Sequence, residues 1–165
     1  LVRSKPTRLS ACVDAQLLAS LERDAERLAD DAPLAAHADE VEELRLEYPG
    51  TATATLDVAR RGSGWRERSP VDHDLSVDEA TRVTDLLAAL ADARGAFADV
   101  TDAGAPFQPR TRVAVVRAGG ETTEQVELAA PDADRSMLLR RTDDGALLRL
   151  PPDQAIRIAS ILRVM

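Results

Sequence analysis

The chain has 165 residues and a formal net charge of −8; 44% of its residues are hydrophobic, yet only 2% are aromatic. That length fits one ordinary domain, or two small half-domains sharing a core built of Leu, Val, Ile and Ala rather than of rings. The acidic balance disfavours non-specific attraction to nucleic acid or to an anionic membrane surface, both of which are polyanions.

The chain starts at Leu1, which leads us to expect an upstream tether or export segment. Leu9-Ser10-Ala11-Cys12 has the form of a lipoprotein box, but Arg3, Lys5, Pro6 and Arg8 stand where its apolar segment belongs, so Cys12 reads as a small apolar residue at a helix start. As the only cysteine it excludes an internal disulfide. No apolar run approaches the roughly 18 residues needed to span a bilayer.

Val13, Leu17, Leu18, Leu21, Ala25 and Leu28 share one stripe at helical spacing and predict a first helix over residues 11–29, which Pro33 stops. Residues 34–40 read as a polar connection. From Glu43 the period becomes two. Leu44, Leu46 and Tyr48, the Pro49-Gly50 turn, then Ala52, Ala54, Leu56 and Val58 predict a β-hairpin. Arg61-Gly62-Ser63-Gly64 reverses the chain into a short strand carrying Trp65, which Pro70 ends. Ser76 and Glu79 form a capping box for a helix running to Arg94, with Ala80, Val83, Leu86, Leu87 and Leu90 inward and Arg94-Gly95 as its close. Trp65 is expected to be buried against the Leu86, Leu87, Leu90 face.

Residues 96–109 read as a linker. Val113 and Val115 precede Gly119-Gly120, Val126 and Leu128 follow it, and Asp143-Asp144-Gly145 separates residues 137–141 from 146–150, predicting two further hairpins. Pro151-Pro152-Asp153 then opens a last helix with Ala155, Ile158, Ala159 and Leu162 inward. The expected fold is therefore α+β: antiparallel sheets built from hairpins and covered by two or three amphipathic helices. Residues 1–40 form a helical segment or stalk. Residues 41–165 form the α+β domain, its two similar strand-strand-helix halves spanning 41–95 and 110–165.

Chemistry-bearing residues are sparse. Asp72-His73-Asp74 offers an imidazole and carboxylates of the kind that ligate divalent metals, but adjacent residues rarely converge on one ion, and acidic groups before a capping box favour the helix N-terminus. His37 has no assignable partner. Arg60, Arg61, Arg66 and Arg68 around Trp65 have the outline of a single-strand nucleic-acid platform, for which one aromatic is too few. The acidic run Asp39, Glu40, Glu42, Glu43 and Glu47 reads as a solvated edge that resists edge-to-edge pairing. Asp132 with Asp134, and Asp143 with Asp144, sit in turn-like segments that favour Asp for local hydrogen bonding. Ser63 lacks the flanks of a nucleophile elbow, and there is no phosphate loop or dinucleotide fingerprint. No catalytic residue, cofactor or metal is expected.

A strand Val41 to Leu46, a second ending near Arg60, Gly64-Trp65 followed five residues later by Pro70, the helical Val83-to-Leu90 stretch, Phe97, and the entry Pro109-Arg110-Thr111-Arg112-Val113 resemble, in order and spacing, the bacterial domain-of-unknown-function 4340 family from about residue 41 to the end. Where that family carries Tyr-Gly-Leu, this chain has Ala105-Pro106-Phe107. The resemblance implies an envelope protein tethered by an N-terminal membrane segment, often encoded beside gliding-type ABC transport components, with no established catalytic residues. The resulting expectation is a non-catalytic extracytoplasmic accessory domain that binds a protein partner through a sheet edge or the first helix, and binds no nucleic acid. The competing expectation is a small-molecule or polysaccharide-binding domain with a cleft between the halves, where Arg110, Arg112 and Arg140 would contact anions. Without an upstream export segment the location would instead be cytoplasmic.

Overall fold

A computed structural model of the chain describes residues 31–50, 55–98, 107–120 and 123–165. The chain divides into two units, Leu1–Asp30 and Asp31–Met165. The first unit lies outside the described residues, and with it the expected first helix, Cys12 and the flanking Arg3, Lys5 and Arg8. Residues 52 and 54 of the first hairpin and most of the expected linker do so too.

The described elements are strands β1 (Val41–Glu47), β2 (Thr55–Arg61), β3 (Gly64–Ser69) and β4 (His73–Asp74), helix α1 (Val77–Asp92), strands β5 (Ala96–Phe97), β6 (Thr111–Arg117), β7 (Thr123–Leu128), β8 (Met137–Arg141) and β9 (Leu147–Leu150), and helix α2 (Pro152–Arg163). Among the described residues the nine strands form a single antiparallel sheet in the order β4-β3-β2-β1-β6-β7-β8-β9-β5, where several sheets had been expected. Alternation sets its two faces. Leu44, Leu46, Val58, Trp65, Val113, Val115, Val126, Leu128, Leu139 and Leu148 are buried in one apolar cluster, which also contains Val83, Leu86, Leu87 and Leu90 of α1 and Ala155 and Ile158 of α2. No helix among the described residues is long and apolar enough to cross a membrane.

Other features also differ from the sequence reading. The acidic run does not lie on an edge, because β1 pairs with both β2 and β6 at the middle of the sheet. The edges are β4 and β5, two residues each, too short to be read from a period of two. Residues 31–40 belong to the sheet unit: Ala32, Leu34 and Ala36 are buried, and the segment is held by the Glu124 carboxylate, which accepts from the Ala35 amide at 2.7 Å, and by Arg141, which donates to the Ala32 carbonyl at 3.1 Å. Finally, Gly95 does not close α1 in a left-handed turn. Ala93 is extended, and the Arg94 guanidinium folds back onto the carbonyls of Ala91 (2.8 Å) and Ala93 (2.6 Å), satisfying acceptors that a helix end leaves open. The start of α1 carries both reciprocal bonds of the Ser76–Glu79 capping box.

Candidate functional site

The face of the sheet opposite the apolar cluster is an ionic lattice. On β1, Glu43 and Arg45 alternate with the buried Leu44 and Leu46; Asp57 on β2 stands opposite Arg45. The β2–β3 register slips between the Asp57–Ser69 and Val58–Glu67 pairs, leaving Arg68 as the extra residue of a bulge. Its guanidinium spans β2 to make two bonds to Glu43, at 2.9 and 2.8 Å, and also donates to Asp57 at 2.8 Å, while Arg45 donates to the other Asp57 oxygen at 3.0 Å. The bidentate bond from Arg68 holds the Glu43 carboxyl below its ordinary range. Burial pushes Asp57 up, but the bonds from Arg68 and Arg45 outweigh it and the net direction is down.

A second cluster lies across β6, β7 and β8. Glu127 is buried and stands between its cross-strand neighbours Arg112 and Arg140, accepting from Arg112 Nε at 2.9 Å and from both Nε and Nη2 of Arg140. Burial raises the Glu127 carboxyl, and the two guanidiniums more than reverse that. Arg112 also approaches Glu47 at 3.9 Å, and Arg140 stacks over the Phe107 ring at 4.8 Å. Two of the three arginines expected to contact anions are thus brought together, but on a carboxylate of the same chain. Arg110 is apart from them, on a groove between the end of the sheet and α2. The two runs of strands meet at a β1–β6 ladder, whose register shifts between Val41 and Glu43.

Trp65 is 4% exposed, and Arg60 lies over its ring at 4.8 Å while donating to the Val41 and Ala38 carbonyls, both at 2.8 Å. Its ring is therefore inside the sheet unit. His73 and Asp74 form β4 rather than a loop; Asp74 bonds Arg61 and Arg66, Asp72 bonds Arg66, and the His73 imidazole lies 3.6 Å from Glu67. Among the described residues no group of three or more His, Cys, Asp or Glu could hold a metal ion. His37 is exposed, in a turn where its amide donates to Glu40. Asp132 pairs with Arg149 at 3.0 Å, Asp134 accepts from the Ser136 amide and hydroxyl, and Asp143 and Asp144 bond within their own turn. Ser63 is exposed in the β2–β3 turn.

Sequence reasoning passed over the ionic lattice and two buried charges. Arg141, fully buried, follows Met137 and Leu139 at a period of two and so faces the core, where Asp144 and the Ala32 carbonyl take its donors. Glu124, opposite Val115 on the same face, binds Arg117 and the entry segment. That alternation was legible; the partners were not. Comparison of the chain with protein families, curated proteins and solved structures finds no match to any of them.

Proposed function

We propose that this chain is a non-catalytic protein-interaction domain whose partner docks on the ionic face of the sheet. The observation that supports this reading is the lattice of Glu43, Arg45, Asp57, Arg68, Arg112, Glu127 and Arg140, a broad surface of alternating charge with side chains already held in place. Such a surface suits a polar protein partner that matches its fixed pattern of donors and acceptors, because side chains held in place fix register and orientation at small entropic cost. Arginine and aromatic residues together, as at Arg140 and Phe107, are enriched in protein interfaces. Hollows on this face, about 180 Å³ beside Asp57 and about 300 Å³ beside Arg140, fall at or below the lower limit for small-molecule sites. The two-residue edges leave little ladder for an added strand, so the face is preferred to the edge as the docking surface.

The wider setting belongs to the same proposal. The strand-meander-then-helix order, β1 to α1 and again β6 to α2, supports two similar halves joined at β1 and β6, with both helices laid over the apolar face. Membership of the domain-of-unknown-function 4340 family, and with it an extracytoplasmic place in a membrane-associated assembly beside ABC transport or gliding-type components, rests on the residues quoted from 41 onward. The test is reconstitution of the full-length protein with the purified products of its neighbouring genes. Wild type should co-elute with one of them, and Arg45→Ala with Arg112→Gln, which set no new carboxylate beside Asp57 or Glu127, should weaken co-elution while a native amide spectrum is retained. Co-elution untouched by the double variant, or no complex with any neighbour, rejects the face as a docking surface. A phosphatase reporter fused to the full-length protein should be active, and an inactive fusion that is stably expressed rejects the extracytoplasmic location.

A further inference from the structure

We infer that the groove between the Ala129–Pro131 connection and the last turns of α2 binds a small amphiphilic carboxylate, an aliphatic chain ended by one anionic head. The groove has a volume of about 390 Å³, within the range of small-ligand sites. Its floor is apolar: Leu128 and Met137, both buried, come from β7 and β8, and Ala159 and Leu162 from α2. Two exposed guanidiniums, Arg110 and Arg163, line the same groove.

Charge is what selects the occupant. Guanidiniums on the ionic face are neutralised by carboxylates, as at Arg68 and Arg140, whereas Arg110 and Arg163 make no ion pair among the described residues. In a chain of net charge −8, two cations that make no ion pair beside one apolar hollow, one of them Arg163 at the C-terminal end of α2, favour an anion over a cation there. Guanidinium forks match a carboxylate in geometry. Ala159 and Leu162, half-buried on α2, gain from being covered by an aliphatic body. Both features must act together for the ligand to be an amphiphile. The groove opens beside α2 and shares no residue with the ionic face, so this inference stands or falls independently of the protein-docking reading.

The test is an amide-resolved NMR titration of the full chain with decanoate, held below its micellar concentration, and with decanol as the uncharged counterpart. Decanoate should produce saturable shifts confined to the amides of residues 128–130, 137 and 159–163. Affinity should fall by about tenfold or more, equal to about 1.4 kcal/mol, for decanol and for the Arg110→Gln, Arg163→Gln double variant. Should that variant lose its native spectrum, Arg163→Gln alone, at an exposed helix position, must show the weakening. Absence of saturable shifts in these residues, equal binding of decanoate and decanol, or undiminished binding by the variant overturns the inference.

Discussion

Gly95 sits where the chain leaves α1 and passes close to β9. A β-carbon added there would lie 2.9 Å from the Leu148 β-carbon, 3.2 Å from Leu150 Cδ2 and 3.3 Å from the Arg149 carbonyl oxygen. The first of these contacts is to an atom fixed to the backbone of a strand, so relief requires the strand or the chain at 95 to move. Gly95→Ala is therefore expected to destabilise the protein by about 1–3 kcal/mol, the usual cost of overpacking, in urea denaturation; an unchanged midpoint would show that the approach is looser than described. Gly145, by contrast, has open space around its missing β-carbon and is required for its positive φ of 72°. Trp65 shows the opposite dependence, on bulk. Trp65→Ala removes a buried ring from the cluster that contains Leu86, Leu87 and Leu90 and is expected to cost about 3–5 kcal/mol. A neutral substitution would contradict the burial of the ring. Both residues are visible in the sequence, but only Trp65 advertises its role there; a glycine after a helix signals a cap, and the strand it must clear is more than fifty residues away.

At the scale of elements, the helices and the longer strands were legible because each carries its own period: Leu44 and Leu46 against Glu43 and Arg45, or Val83, Leu86, Leu87 and Leu90 behind a capping box. Which strand pairs with which is a long-range property, and the acidic run on β1 pointed to an edge because its counter-charges, on β3 and β6, are remote in sequence. Those counter-charges have a consequence for pH dependence. Glu43, Asp57 and Glu127 are each held below their ordinary values of 4.5, 3.8 and 4.5 by arginine partners on other strands of the sheet. With a folded-state value lower than the unfolded one, the native state binds fewer protons through this window. Their stabilising contribution is thus full above the ordinary values and is lost as the pH falls through the depressed ones. Denaturation midpoints measured from neutral pH down to about pH 3 should decline. Glu127→Gln should lower stability at neutral pH and make the decline shallower, since the amide carries no charge to lose. Parallel curves for wild type and variant would mean that Glu127 gains nothing from Arg112 and Arg140.

For the molecule as a whole, the decisive contact is the β1–β6 ladder, which joins two runs of strands that the sequence separates by the stretch from α1 to Pro109. The sequence suggested a linker there between two halves of one domain, with a cleft between them as the alternative reading. The ladder instead pairs Leu44 with Val115 and Leu46 with Val113, and all four are fully buried, so apolar residues from both runs lie in one continuous cluster. Neither run can expose its own part of that cluster without stripping the other, because β1 and β6 each supply a wall of the same interior. Unfolding of the unit from Asp31 to Met165 should then be a single transition. Trp65 fluorescence reports on the first run and the Met137 methyl resonance on the second. In urea these two probes should give coincident midpoints and slopes, which is the signature of one cooperative unit. Separate midpoints, with the Trp65 signal changing at a different denaturant concentration from that of Met137, would show that the ladder is a seam between independently stable parts.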